Sequence, residues 1–106
     1  MASMDDREKG FERKFALDEE QRFRAMARRN KLLGLWAAEK LGKSGADAEA
    51  YAKEVVAADF AEAGDEDVFR KVRGDLDKAA AKVSDSDIRA AMNELMAKAA
   101  EQIANS

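Results

Sequence analysis

The sequence of 106 residues contains no cysteine, no histidine, no proline and no threonine. Without cysteine there are no disulfides, thiolate metal sites or cysteine nucleophiles. Without histidine the chain lacks the commonest general base, the commonest zinc ligand and the side chain that titrates near physiological pH. No run approaches the roughly 20 apolar residues of a membrane span, and no apolar stretch follows the charged N-terminus. We therefore expect a soluble, non-enzymatic chain with no catalytic residue, no metal site and no direct membrane insertion.

The composition favours helix throughout. Apolar residues make up 46% of the chain and charged residues 39%, and Ala, Glu, Lys, Leu and Arg dominate. These residues, with proline absent, are strong helix formers. Valine, isoleucine and tyrosine never form alternating runs, so we predict no sheet. The length suits one domain with a modest core.

Residues 1–41 form one charged, amphipathic run, about twice as long as any later helical segment. A continuous helix from Asp5 to Leu41 would span about 55 Å. A small bundle shelters only about half of that length, so the other half must project, fold back or stay disordered. Its first part is poor in apolar residues and rich in charges of both signs, which is typical of marginal helices. We predict that residues 1–17 are a mobile N-terminal amphipathic arm and that residues 18–106 are a four-helix bundle.

Four amphipathic segments with short connections predict that bundle. The first is expected to end at Gly42, and the second to run from about residue 46 to residue 63, with Gly64 closing it and Asp65 capping the third. Ser84 and Asp87 predict a capping box at the start of the fourth. The predicted core positions, in chain order, are Phe23, Met26, Ala27, Leu33, Ala37, Leu41, Ala48, Tyr51, Ala52, Val55, Ala58, Val68, Phe69, Val72, Leu76, Ile88, Met92, Leu95, Ala99 and Ile103. The positions predicted to flank them are Leu32, Leu35, Trp36, Val56 and Phe60.

Motifs that suggest ligands have simpler interpretations. Gly42-Lys43-Ser44 matches the end of a phosphate-binding loop, but Ala37 stands where the motif needs glycine, so an interhelical turn is favoured. The acidic residues 65–67 lack calcium-loop spacing and are expected to cap a helix. A basic cluster in the first helix is too narrow for a nucleic-acid surface in a chain of net charge −3, and indicates a solvated face or an acidic protein partner. Its members are Arg22, Arg24, Arg28, Arg29 and Lys31.

Residues 47–67 hold eight carboxylates and one lysine. This acidic stretch predicts either packing against the basic first helix or a surface for a partner. From the residues alone we predict a helical interaction module with a mobile arm. Two other functions stay open: a small adaptor that binds another cytoplasmic protein through its acidic second helix, and a module that senses adenine nucleotides with low affinity.

Five stretches of the sequence resemble one known family. They are MDDREK at 4–9, FERKF at 11–15, ARRNKLLGLWAA at 27–38, YAKEVV at 51–56 and GDEDVFRK at 64–71. They are similar to the zeta subunit, the ATPase inhibitor of alphaproteobacterial F-type ATP synthases. The similarity covers nearly the whole chain, and from Asp75 onward it is reduced to the helical pattern.

The resemblance implies a four-helix bundle whose N-terminal segment, largely disordered when free, enters a catalytic interface of the synthase head. There it blocks rotation in the direction of ATP hydrolysis and allows synthesis. The partner would be the catalytic head, and the protein would be cytoplasmic and peripheral to the inner membrane. No cofactor is expected beyond weak binding of adenine nucleotides. The implied partner-binding residues are Met4, Asp5, Asp6, Arg7, Glu8, Phe11, Arg13, Lys14 and Phe15.

Overall fold

Four α-helices make up most of the chain that is described by the computed structural model, which covers residues 17–59 and 66–105. They are α1 (Glu19–Lys40), α2 (Gly45–Ala58), α3 (Glu66–Lys78) and α4 (Asp85–Ala104). Residues 17–59 and 66–105 contain no strand. The predicted all-α, four-helix architecture is therefore confirmed for this part of the chain.

Helix α1 begins at a capping box rather than continuing a longer helix. The Asp18 backbone is extended, with φ −78° and ψ 177°. The Gln21 backbone N–H donates to Asp18 Oδ1 at 2.8 Å, and the Asp18 backbone N–H donates to Gln21 Oε1 at 3.1 Å. The Asp18 carboxylate thus accepts a backbone N–H of the first turn of α1, which is the role of an N-cap residue.

Leu17 belongs to the bundle. Its side chain is 9% exposed and lies in an apolar cluster at one end of α1 and α4, although the sequence placed it at the end of the mobile arm. The other buried members of this cluster are Ala25, Met96, Ala100 and Ile103. Residues 1–16 lie outside the described part of the chain, so the arm itself stays a prediction.

The first interhelical turn has the predicted glycine end. Gly42 has φ 76°, a left-handed conformation that glycine adopts without a steric penalty. Its N–H donates to the Glu39 carbonyl at 3.1 Å, and the Lys43 N–H donates to the Ala38 carbonyl at 2.9 Å. This is the Schellman pattern of helix ends. The stretch Gly42-Lys43-Ser44 is therefore a turn, as predicted.

One other boundary differs from the prediction. Helix α2 ends at Ala58, before the predicted residue 63, and the Asp59 carboxylate accepts a hydrogen bond from the Asn30 side chain. The predicted closing Gly64 and capping Asp65 lie outside the described residues. At the fourth helix the predicted capping box is confirmed, because Ser84 Oγ accepts the Asp87 N–H at 3.0 Å and the Asp87 carboxylate accepts the Ser84 N–H.

All four helices contribute to the main core. Helix α1 packs chiefly on α2 and α4, and the shorter α3 covers the remaining side. Most of the predicted core positions in the last three helices are buried, with Ala48, Ala58, Phe69 and Leu95 half-buried. The buried large side chains of this core are Leu33, Tyr51, Val55, Val68, Val72, Leu76, Ile88 and Met92.

The buried face of α1 is rotated from the predicted one. Ala25, Leu33 and Ala37 are fully buried, but Phe23, predicted in the core, is 71% exposed. Arg29 and Asn30 are instead 2% and 1% exposed. The reason is that α1 presents its small residues to α2 and α4, which lets the helices approach closely and turns Phe23 outward.

Candidate functional site

The nine partner-binding residues predicted between Met4 and Phe15 all lie outside the described part of the chain. Their mutual arrangement therefore stays a prediction. What the structure provides is their point of attachment: the chain enters the bundle at Leu17, which is buried, and turns into α1 at Asp18. Any arm formed by residues 1–16 starts from a fixed position at this end of the bundle.

Beside this position lies a groove between α1 and α2, here called the Phe23 groove. It has a volume of about 130 Å³. It is lined by Phe23, Met26, Ala27, Asn30, Val56 and Asp59. Within the described residues, Phe23 is the one large hydrophobic side chain that stands exposed.

A polar contact holds the wall of the Phe23 groove. Arg29 Nε donates to Asn30 Oδ1 at 2.7 Å, and Asn30 Nδ2 donates to Asp59 Oδ2 at 3.1 Å. The Asn30 amide thus joins the middle of α1 to the end of α2. The prediction of a wholly solvated basic face is wrong for Arg29, which is buried in this network.

The remaining basic side chains run along the exposed side of α1. Arg24 Nη2 lies 2.5 Å from Glu20 Oε1, and Arg28 Nη1 donates to Gln102 Oε1 on α4 at 3.4 Å. Arg24, Arg28 and Lys31 border a second depression, which shares Ala27 and Val56 with the Phe23 groove. This narrow basic edge, next to the acidic start of α1, resembles a protein contact more than a nucleic-acid surface.

Tyr51, Lys71 and Asp75 form a second polar cluster, which joins α2 to α3. The Tyr51 hydroxyl donates to Asp75 Oδ2 at 2.9 Å. Lys71 Nζ lies 2.9 Å from the same carboxylate and 3.5 Å from Glu54. Burial, reinforced by the neighbouring Asp75 carboxylate, raises the pKa of Tyr51 above its usual value.

The ionised forms of the other two groups are stabilised by each other. Burial alone would raise the pKa of Asp75, but hydrogen bonds from Lys71 and Tyr51 outweigh it and hold that pKa below its usual value. Burial likewise lowers the pKa of Lys71, and the carboxylates of Asp75 and Glu54 reverse this and raise it. All three shifts move the groups away from titration at neutral pH. What the contacts themselves show is a polar link between α2 and α3.

The acidic stretch 47–67 serves the fold at several of its carboxylates. Four of these carboxylates accept hydrogen bonds from side chains on α1, α3 and α4. The pairs are Glu54 with Lys71, Asp59 with Asn30, Glu66 with Arg89, and Asp67 with Arg70. Part of the acidic stretch therefore serves the packing of the helices, and its use as a surface for a partner stays a prediction.

The described residues carry neither a cluster of metal ligands nor a membrane-spanning helix. Histidine, cysteine and carboxylate side chains in the ranges 17–59 and 66–105 nowhere form a group of three that could hold a metal ion. Each helix in these ranges is too short or too polar to span a bilayer. The predicted weak binding of adenine nucleotides stays a prediction.

The Phe23 groove was not predicted, because Phe23 fits the apolar spacing of α1 and was therefore placed in the core. A second repeat, of four residues, marks the packed face better. Ala25, Arg29, Leu33 and Ala37 repeat every four residues and mark the packed face. That spacing leaves Phe23 on the side of the helix that faces away from α4.

Known proteins provide three comparisons. The family model described as ATPase inhibitor subunit zeta matches residues 1–102. A protein solved by solution NMR is 58% identical in sequence, with a TM-score of 0.70, and the match covers 78% of this chain and 94% of that one. A search among curated proteins finds no match.

Proposed function

The chain belongs to the ATPase inhibitor subunit zeta family, whose general role is to inhibit an ATPase, and we propose that it does so through residues 1–16. In this proposal the partner is the catalytic head of an F-type ATP synthase. The N-terminal arm inserts at a catalytic interface and blocks rotation in the direction of hydrolysis. The bundle is a non-catalytic anchor that stays outside the interface.

The observation that carries the proposal is the division of the chain at Leu17 and Asp18. Leu17 is buried on the bundle, Asp18 caps α1, and the family match extends through the preceding residues. The described part of the bundle thus begins at a capped helix. The residues that precede this cap lie within the family match, and in this proposal they are the part of the chain that contacts the partner.

The energetics define the kind of site that such an arm needs. Fixing the backbone of one residue costs about 1–2 kcal/mol, whereas burying one phenylalanine contributes only about 1.5–3 kcal/mol. Phe11 and Phe15 alone cannot offset the ordering of the whole arm. We therefore propose that the arm folds into a helix within a deep groove, where backbone hydrogen bonds and many side-chain contacts add to these two anchors.

The test is a chain that starts at Leu17, assayed on the purified synthase. We expect the truncated protein to keep its helicity and cooperative melting, because Leu17 and the Asp18 cap remain. We expect inhibition of ATP hydrolysis to be lost. Inhibition and circular dichroism are measured on the same preparations. A matched control keeps the full length but replaces residues 1–16 with a glycine-serine sequence, which separates the effect of the arm's side chains from that of its length.

Full inhibition by the chain that starts at Leu17 would refute the assignment of the arm. Loss of cooperative melting would show instead that residues 1–16 are part of the bundle. Replacing both Phe11 and Phe15 with alanine adds a finer measurement. This change should weaken inhibition without the loss of about 3–5 kcal/mol per residue that is typical of phenylalanine removed from a core.

A further inference from the structure

Two adjoining depressions of the bundle have no part in the proposed function. One is the Phe23 groove, and the other, of about 390 Å³, lies beside it. Ala27 and Val56 line both, so the two form one continuous surface, here called the α1–α2 surface. Its apolar lining consists of Phe23, Met26, Ala27, Val56 and Ile103, its basic edge of Arg24, Arg28 and Lys31, and its polar wall of Asn30 and Asp59.

The cations of this basic edge differ from those of the later helices. Every arginine of α3 and α4 has a carboxylate partner: Arg70 with Asp67, Arg73 with Asp77 and Asp85, and Arg89 with Glu66. By contrast, within the described residues Arg28 donates to the neutral Gln102 side chain and Lys31 has no ion pair. Arg24 pairs with Glu20, but both side chains are exposed, so this pair contributes little. The edge therefore presents positive charge to solvent in a chain of net charge −3.

The spacing of these cations fits a helical partner. Arg24, Arg28 and Lys31 follow one another at intervals of four and three residues, so they lie along one side of α1 within about 10 Å. Carboxylates at the same spacing on another helix can face them one by one. The adjoining Phe23 groove, of about 130 Å³, is close in volume to the engineered cavity of roughly 150 Å³ that holds benzene. It therefore has room for one apolar side chain of the same partner helix.

The α1–α2 surface also lies close to the start of the arm. Arg24 is five residues after Glu19, where α1 begins, and so about 8 Å along the helix axis. A partner that receives residues 1–16 is therefore within reach of this surface as well.

We propose that the α1–α2 surface binds an acidic amphipathic helix on the outside of the ATPase head, in addition to the contact made by the arm. This inference rests on the proposed function, which supplies the ATPase as the partner. Carboxylates of that helix face Arg24, Arg28 and Lys31, and an apolar side chain enters the Phe23 groove, as in other helix-in-groove complexes. Attachment at two sites makes insertion of the arm an intramolecular step, which raises the affinity of the inhibitor without new contacts in the arm.

Charge variants of the full-length protein test the basic edge. Arg28→Glu reverses one charge there, and Lys82→Glu makes the same change at an exposed position between α3 and α4 that does not line the α1–α2 surface. We expect Arg28→Glu to weaken binding to the purified synthase about tenfold and to reduce its dependence on salt, because a close charge pair is lost. Lys82→Glu should bind like the unmodified chain. Equal affinities of the two variants would overturn the proposal.

Phe23→Ser tests the apolar part of the surface. The Phe23 side chain is 71% exposed, so its replacement should leave the melting temperature unchanged. We expect the affinity for the synthase to fall several-fold, because the groove loses one wall. An unchanged or higher affinity would exclude the groove from the contact.

A zero-length crosslink identifies the partner. A carbodiimide joins the Lys31 amine to a carboxylate in contact with it, and mass spectrometry locates the link in the complex with the synthase. We expect an aspartate or glutamate of the ATPase head, on a helix with a second carboxylate three or four residues away. Replacing the linked residue with lysine should restore the binding of Lys31→Glu. A link to a second copy of this chain, or the absence of rescue, would overturn the proposal.

An anionic membrane is another surface that a basic edge attracts. The full-length protein is therefore also mixed with vesicles of anionic phospholipid. Vesicle binding that Arg28→Glu abolishes, together with unchanged affinity of this variant for the detergent-solubilised synthase, would replace the protein contact with a membrane contact and overturn the proposal.

Failure of this inference and failure of the proposed function have different readouts. The arm is intact in Arg28→Glu and Phe23→Ser, so we expect inhibition to remain complete once enough of either variant is added. Alanine at Phe11 and Phe15 changes the arm instead. If the alanine variant inhibits as well as the unmodified chain while Arg28→Glu still weakens binding, the proposed function fails and the contact at the α1–α2 surface is supported.

Discussion

Ala80 has a backbone conformation that is strained for an L-residue with a side chain. It has φ 55°, a left-handed conformation, at the end of α3. Its N–H donates to the Asp77 carbonyl at 3.0 Å, and the Ala81 N–H donates to the Leu76 carbonyl at 3.0 Å. Ala80 therefore occupies the position in a Schellman turn where glycine is usual. The Cβ atom of an L-residue in this conformation costs about 1–2 kcal/mol.

We expect Ala80→Gly to raise the free energy of unfolding by about 1 kcal/mol, because glycine removes this strain at some cost in chain entropy. Urea denaturation measures the change. The neighbouring Ala79→Gly is the control: it adds the same flexibility at a position without a positive φ and should destabilise the protein slightly. A destabilised Ala80→Gly variant would show that the turn is not strained.

Tyr51 is the only tyrosine of the chain, so its ionisation can be followed by ultraviolet absorbance. Burial and the Asp75 carboxylate raise its pKa in the folded state above the unfolded value of about 10. The stabilisation from the neutral phenol is thus fully present below about pH 10 and is lost as the pH rises through the folded pKa. We expect phenolate to form at a distinctly higher pH in the folded protein than in concentrated urea.

Asp75→Asn tests the cause of this shift. It should move the phenol pKa part of the way back, because the charge is removed and the burial remains. Asp75 itself has a lowered pKa in the folded state. Its contribution to the free energy of unfolding is therefore present above the unfolded pKa of about 4 and is lost as the pH falls through the folded-state pKa. A phenol that titrates near pH 10 in the folded protein would contradict the Tyr51–Asp75 contact.

At the scale of elements, the contact between α1 and α2 depends on Gly34. A Cβ atom placed there would lie 2.6 Å from the Ala52 Cα atom and 3.1 Å from its Cβ atom. The obstacle is backbone, so the helices themselves would have to separate. Gly34→Ala should therefore lower the free energy of unfolding by about 1–3 kcal/mol, the usual cost of overpacking.

Gly74 provides a matched control for this prediction. It also lies inside a helix, but a Cβ atom placed there meets no atom within 4 Å. Gly74→Ala should stabilise the protein by up to about 1 kcal/mol through helix propensity alone. Chemical denaturation of both variants separates packing from propensity. Equal, stabilising effects would show that α1 and α2 do not approach as closely as 2.6 Å implies.

At the scale of the whole molecule, inhibition should depend little on pH near neutrality. The chain has no histidine, and the shifts at Tyr51, Lys71 and Asp75 all lead away from neutral pH. We expect the affinity for the synthase to be nearly constant between about pH 6.5 and 8, where an unperturbed histidine would begin to lose its charge. Titration of the purified synthase, with a direct measurement of the bound fraction, checks this.

A tenfold change in affinity across that range would be incompatible with the prediction. Two controls are measured at the same pH values: binding of the chain that starts at Leu17, and ATP hydrolysis by the synthase alone. They show whether an observed change arises in the arm or in the enzyme.

Local signals in the sequence determined much of the fold. These signals are the helix-forming composition, the capping box of Ser84 and Asp87, and the turn at Gly42. Each depends on residues close together in the chain, so the structure that it favours could be predicted. The start of α1 has a local signal as well, because Asp18 is followed three residues later by Gln21, and residue 18 is the position from which the bundle was predicted.

The tertiary structure alone decided which side of α1 is buried. The apolar spacing placed Phe23 in the core, but the close approach of α1 and α2 at Gly34 favours small residues and turns that ring outward. Arg29 and Asn30 are buried because Asp59 arrives from another helix to bind the Asn30 amide. Such choices depend on contacts between residues distant in the chain, which periodicity within a single helix does not contain.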